Sequence, residues 1–359
     1  MSTIDAHVAA CLQVFLGASP YDRTAFSPFA PRPTPFLSDM PTPPEPFASL
    51  VASRRRFDWW QALVRVLSSI EAVRDGHALY VLLASFCGAG LATASAMASF
   101  GREDVPWAIG QGAAAVFIAF YGANAAGLLL MDRAMGRAPR DVADAVRDAL
   151  GIAHRVLLAL AMMLVLAAAL AGGLLGLYWL SGLPRIGPWL FVLVVPATVL
   201  IIGLTVLAGV VVVAPLTGPT VWAGASSVQA VATIGRLIRD RLLQAAVLVG
   251  GLSLATGLVG AAASAMVLLG GRVMAEASVF VLGVDIPPEA LMAGLLGRTV
   301  QITQGAVVPA KALSYISAAT VGGGMVFALA LVMPTLVYLR GVCEVYLALR
   351  AADADADAQ

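Results

Sequence analysis

The amino-acid sequence predicts an all-α polytopic membrane protein: six transmembrane helices as three hairpins, each preceded by a cytoplasmic amphipathic interfacial helix. The first observation behind this is bulk composition. The 359-residue chain is 60% hydrophobic and 12% charged, with a mean hydropathy of +0.89, far outside the range of a water-soluble domain. The second is the presence of six stretches, 76–98, 107–131, 156–183, 188–215, 242–271 and 319–339, that contain no Lys, Arg, Asp or Glu. Each reaches the ~20 apolar residues needed to cross a hydrocarbon core. The third is a recurring tripeptide, Gln61-Ala-Leu, Asp144-Ala-Val and Gln229-Ala-Val, at spacings of 83 and 85 residues. Each copy stands shortly before a pair of apolar stretches, so the chain reads as three repeats of a lead-in helix plus a hairpin.

The chain opens on "MSTIDAHVAACLQVF", which has neither a basic n-region nor an h-region before a cleavage site, so the N-terminus is expected to stay in the cytoplasm. Of the 22 basic residues, 17 fall in the N-terminal region, the 132–155 and 216–241 loops and the C-terminal end. Arg102, Arg185, Arg272, Arg298 and Lys311 occupy the alternate loops. This bias places both termini inside. A single Lys among the 22 basic residues points to a GC-rich genome, and the expected location is a bacterial inner membrane.

Residues 1–56 form a cytoplasmic N-terminal segment. Ile4, Val8, Cys11, Leu12 and Phe15 share one side of a short helix, and the pattern then gives way to a proline-rich run holding "SPF", "TPF" and "EPF". Such a run favours extended polyproline-like chain. Linkers are poor in aromatics, yet this one carries Phe26, Phe29, Phe36 and Phe47. These four phenylalanines are the candidate partner-docking residues, and another protein subunit bound by residues 18–49 is the expected partner beside the lipid bilayer itself.

The membrane domain is expected over 57–350. Its first lead-in helix, 61–74, belongs to a pattern beginning at Phe57 with Trp60, Leu63, Val64 and Leu67 along one side and Asp58, Gln61, Arg65 and Ser68 along the other. In the second, 144–155, Val142, Ala145, Val146, Ala149, Leu150 and Ala153 oppose Asp141, Asp144, Arg147, Asp148 and Arg155. The third, 229–241, sets Val228, Val231, Ile234 and Ile238 against Gln229, Thr233, Arg236 and Asp240. Each is expected to lie along the interface with arginines toward lipid phosphates. Arg147, Arg155, Arg236, Arg239 and Arg241 are the candidate phosphate contacts. The third hairpin is opened by an extracytoplasmic insertion, 272–318, in which "DIPPEALMAGLLGRTVQI" starts with proline and spaces its leucines as a helix would. Residues 351–359, "AADADADAQ", read as an acidic disordered tail.

The chemistry-bearing residues are sparse. His7, His77 and His154 lack partners at metal-ligand spacing, and Cys11, Cys87 and Cys343 form no CxxC pair. Cys11 and Cys343 are expected to be open to thiol reagents from the cytoplasm. Neither paired carboxylates, a Ser-His pairing nor a Gly-rich phosphate loop is found, so no catalytic residue, cofactor or metal is assigned and an enzyme is not expected. The net charge of +1 gives no nucleic-acid partner. Gln229, Ala230, Val231 and Gly235 fit the spacing of the coupling loop of ABC-type permeases without its Glu or its Leu-Pro. A permease subunit with 229–241 as coupling helix is therefore an alternative, and a lipid-binding or lipid-moving protein is another.

Two stretches carry a family resemblance. "VVVAPLTGPTVWAGASSVQAVATIGRLIRDRLLQ" and "TLVYLRGVCEVYLALR", the latter with Tyr338, Arg340 and Glu344, resemble parts of the membrane domain of glycerophosphodiester phosphodiesterase-type and Yip-type bacterial membrane proteins. In that domain a span ends near a proline, a short loop and an Ala-containing basic helix follow, and the last span closes on Tyr, Arg and an acid. The resemblance implies a helical membrane scaffold with no catalysis of its own. The expected role is a non-enzymatic scaffold or accessory subunit of a membrane complex.

Overall fold

The computed structural model describes residues 59–138, 140–183, 187–282 and 310–357. The chain divides into two units, Met1–Asp58 and Trp59–Gln359, and all described residues belong to the second. Apart from short connections they are helical, with no strand among them: α1 (Trp59–Leu67), a 3-10 segment (Ser68–Arg74), α2 (Gly76–Phe100), α3 (Val105–Ala134), α4 (Val142–Leu180), α5 (Gly187–Ala208), a π-turn (Gly209–Val213), α6 (Ala214–Trp222), α7 (Ser227–Leu282) and α8 (Ala310–Asp357). Six of these runs are long and apolar enough to cross a membrane: α2, α3, α4, the continuous α5–α6 run, α7 as far as Ser278, and α8 from Met325 to Ala352. The chain is a multi-pass integral membrane protein. The four expected docking residues Phe26, Phe29, Phe36 and Phe47, and the helical cap read at 285–302, lie outside the described residues.

Several boundaries differ from the sequence expectation. Residues 144–155 are the first third of one 39-residue helix, α4, because nothing between Ala149 and Leu160 interrupts the run: there is no proline, and Gly151 alone weakens it only slightly. The third lead-in segment also runs on into its span, but Arg241 breaks the helix there with φ −133° and ψ 15°. At the third hairpin, helix continues through Leu282 and resumes at Ala310, which narrows the insertion expected at 272–318. The tail expected to be disordered from 351 is instead helix as far as Asp357. Alternating Ala offsets the poor helix propensity of Asp, and the segment only has to extend a helix already nucleated, not start one.

Proline explains the irregular fourth crossing. Pro215 has no N–H to give the carbonyl four residues back, and its ring crowds that carbonyl. The backbone answers with one wider turn, in which the Ala214 N–H reaches the Gly209 carbonyl.

The core lies at the end of the bundle where α1, α4 and α7 begin. Every residue from Asn124 to Asp132 on α3 is buried, as is Gly341–Tyr346 on α8. Helix α8 touches α1, the 3-10 segment, α2, α3, α6 and α7, and so forms the centre. Toward the other end the helices are open: beyond Ala159, α4 buries only Leu174, and α5 buries only Gly187, Val194, Thr198 and Ala208. Leu, Val and Trp side chains there meet lipid, which solvates them as well as a protein core would.

Close approaches set the register of the central helices. A Cβ on Gly127 or Gly218 would collide with the Trp222 ring, and one on Gly341 with the Leu252 side chain. The Trp222 indole N–H donates to Asn124 Oδ1 at 3.0 Å, while Asn124 Nδ2 donates to the Phe120 carbonyl at 2.9 Å. Between α7 and α8 one antiparallel register holds along the seam: Leu252 fills the groove at Gly341, Gly260 faces Pro334, and the Arg241 guanidinium donates to the Ala352 carbonyl at 3.1 Å.

Candidate functional site at the polar end of the bundle

In its third copy the repeat seen in the sequence is a helix-start device. Ser226 precedes α7, its Oγ accepts the Gln229 N–H at 3.4 Å, and Gln229 Oε1 accepts the Ser226 N–H at 3.0 Å. This reciprocal capping box satisfies two backbone donors that a helix start leaves orphaned. Asp141, in extended backbone, holds the same place before α4, with Asp144 three residues on, but its side chain makes no capping hydrogen bond. In the sequence Asp58 stands three before Gln61. The next residue of each copy, Ala62, Ala145 and Ala230, is buried, and so is the residue four further on, Val66, Ala149 and Ile234. The copies thus enter the bundle in one shared register. The motif for this, Ser or Asp followed three residues later by Gln or Asp, is legible in sequence once the helix start is placed one residue after it.

Burial departs from the expected apolar faces. Trp60, Val64 and Leu67, Leu150, and Val228 are exposed from the protein, whereas small residues turn inward. In lipid, apolarity does not sort residues between inside and outside, and close helix approach selects small side chains for the interior.

Charged side chains link helix to helix. Arg140, in the α3–α4 connection, donates through Nη2 to Asp132 Oδ1 at 2.9 Å, through Nε to Asp132 Oδ2 at 2.5 Å, and through Nη1 to Asp148 Oδ2 on α4 at 2.8 Å. The hydrogen bonds to Asp132 outweigh desolvation and hold the Arg140 guanidinium above its already high ordinary pKa. Arg133 at the end of α3 pairs with buried Asp75 at the start of α2, 3.0 Å apart. On α8, Arg340 Nη2 meets Glu344 Oε1 at 2.6 Å, and its Nη1 donates to the Leu130 carbonyl of α3 at 3.2 Å. Apart from Arg340 and Glu344, these partners escape a reading of the sequence, because none of the pairs has a local motif; only the position of Asp75 and Asp132 at the margins of apolar runs marks them.

The five arginines expected at lipid phosphates are not gathered into one site. Arg147 pairs loosely with Asp144 at 3.8 Å and Arg239 with Asp240 at 3.3 Å, all four side chains being largely exposed. Arg155 and Arg236 are exposed, and the Arg155 carbonyl accepts the Ser227 hydroxyl at 3.1 Å. Arg241 is turned inward, toward Gln244 at 3.1 Å and the Ala352 carbonyl. Cys343, expected to be reachable by thiol reagents, is fully buried; it lies beside Glu344 on the central helix. Among the described residues no group of His, Cys, Asp and Glu has the arrangement of a metal site. No protein-family model, curated protein or solved structure matches the chain.

Proposed function

We propose that this protein is a non-enzymatic scaffold or accessory subunit of a membrane complex, seated in a bacterial inner membrane with both termini in the cytoplasm. The observation that carries the reading is the construction of one end of the bundle. There, three lead-in segments insert in one register, and Arg133, Arg140 and Arg340 fasten helix ends together. Such an end is a stiff platform on the side to which the arginine bias assigns the cytoplasm. The exposed arginines of α4 and α7 face outward from it, and the sequence of residues 18–49 carries Phe26, Phe29, Phe36 and Phe47 among prolines, a composition suited to recognition by a partner. The coupling-loop alternative is less well served. Gln229 is engaged in its capping box, and a Cβ on Gly235 would meet open space.

The test is deletion of residues 18–49. The shortened protein should insert normally and lose a subunit that co-purifies with the full chain in mild detergent. Retention of every co-purifying protein refutes the docking role.

A further inference from the structure

Between α1 and α2 the chain winds as a 3-10 helix for seven residues, Ser68–Arg74. Runs beyond three or four residues are uncommon, because the hydrogen bonds of this winding are poorer than those of an α-helix. The Ser68 hydroxyl donates to the Arg65 carbonyl at 2.7 Å and the Asp75 N–H to the Ala72 carbonyl at 2.9 Å, each acceptor lying three residues back. Three residues per turn sets every third side chain in one row, and the buried row is Val66, Ser69, Ala72 and Asp75.

The letters of this segment suit a different winding. Continued from α1 at 3.6 residues per turn, the face that buries Ala62 and Val66 would next bury Ile70 and Val73. Instead Ile70 is 48% exposed and Ser69 1%. The Ser69 hydroxyl has no hydrogen-bond partner, one of two such buried side-chain atoms among the described residues, and a buried polar group left unpaired is costly. What holds the tighter winding is a fastening at each end. Leu63 sits 3.1 Å from the place of a Cβ on Gly251 of α7, and Asp75 pairs with Arg133 of α3 at 3.0 Å. A 3-10 helix rises about 2.0 Å per residue and an α-helix about 1.5 Å. Rewinding the seven residues would shorten the segment by about 3.5 Å and turn its ends by about 140° relative to each other. Both fastenings cannot stay closed through such a change.

We propose that Ser68–Arg74 is a winding switch: 3-10 while Asp75 is paired with Arg133, and α-helical, continuous with α1, once that pair opens, so that Ile70 and Val73 replace Ser69 and Ala72 against the bundle. The segment rests on the central helix α8, so its winding decides which side chains α8 meets. The Arg133 side chain is 47% exposed, and the pair is therefore within reach from outside the bundle. The switch needs neither the scaffold role nor an assigned side of the membrane. Single nitroxide labels at each position from 67 to 74, in a cysteine-free full-length protein in lipid nanodiscs, report the winding through the least mobile positions in their electron paramagnetic resonance spectra. With the pair intact these should be 69 and 72. Arg133→Gln or Asp75→Asn should move them to 70 and 73. Because Arg133→Gln leaves Asp75 buried without its partner, Asp75→Asn decides the matter if the first variant does not insert. Least mobile positions that stay at 69 and 72 after the pair is removed would show that it does not set the winding. Uniform mobility from 67 to 74 would show a segment that unfolds when released, and minima at 70 and 73 with the pair intact would show no 3-10 state to switch from; each of these overturns the proposal.

Discussion

Substituting Arg140 by Gln would remove the guanidinium that joins α3 to α4, and the structure sets the size of the effect. Its two carboxylate partners occupy different surroundings: the Asp132 side chain is 4% exposed and that of Asp148 47%. A buried carboxylate stripped of its partner costs about 3–5 kcal/mol, whereas an exposed pair contributes about 0–1 kcal/mol. Arg140→Gln should therefore destabilise the protein by about 3–5 kcal/mol, and Asp148→Asn by no more than about 1 kcal/mol. Combining Arg140→Gln with Asp132→Asn should cost less than Arg140→Gln alone, since no buried charge is then left unpaired. Reversible unfolding in mixed micelles, followed by circular dichroism, compares the variants. If Arg140→Gln unfolds no more readily than Asp148→Asn, or if the double substitution is at least as damaging as the single one, the ion pairs do not hold this end together.

The same assay tests the helix packing and the helix starts. Gly341→Ala should cost about 1–3 kcal/mol by overpacking, because the new methyl collides with Leu252, and Leu252→Ala in the same chain should return part of the loss. Ser226→Ala, which removes the N-cap hydroxyl of the capping box, should cost about 0.5–2 kcal/mol. Gly235→Ala, with open space for its methyl, should stabilise α7 by about 0.5–1 kcal/mol; a loss at Gly235 would show that the glycine is required for something other than the helix.

The spans were legible because crossing a bilayer demands length and apolarity in one continuous run, a requirement local to the sequence. All six apolar stretches fall on the crossing helices in order. The faces were harder. Trp60, Leu63, Val64 and Leu67 read as one side of α1, but Leu63 lies against Gly251 of α7 while Trp60, Val64 and Leu67 are exposed, and the water-protein rule does not say whether a side turns to neighbours or to lipid. The small residues Ala62, Ala145 and Ala230 were the informative ones. The capping box at Ser226 and Gln229 follows a Ser-x-x-Gln pattern that acquires meaning only once the helix start is placed at Ser227. The links from Arg140 to Asp132 and from Arg340 to Leu130 required the fold, since the second acceptor is a main-chain carbonyl with no side-chain identity at all.

That kind of acceptor has a consequence at the α7–α8 seam. The Arg241 clasp closes on the carbonyl of Ala352, so almost any residue at 352 would preserve it, while a chain cut short before that point would not. Farther along, Gly341 and Gly260 admit Leu252 and Pro334, over a length of about 28 Å at about 1.5 Å per residue. The last helix is thereby keyed like a notched rule against its neighbour: a slide of less than a full helical turn would mismatch all the notches together. Helices α7 and α8 are built to travel as one piece, and a sliding rearrangement among the described helices has to go around that pair.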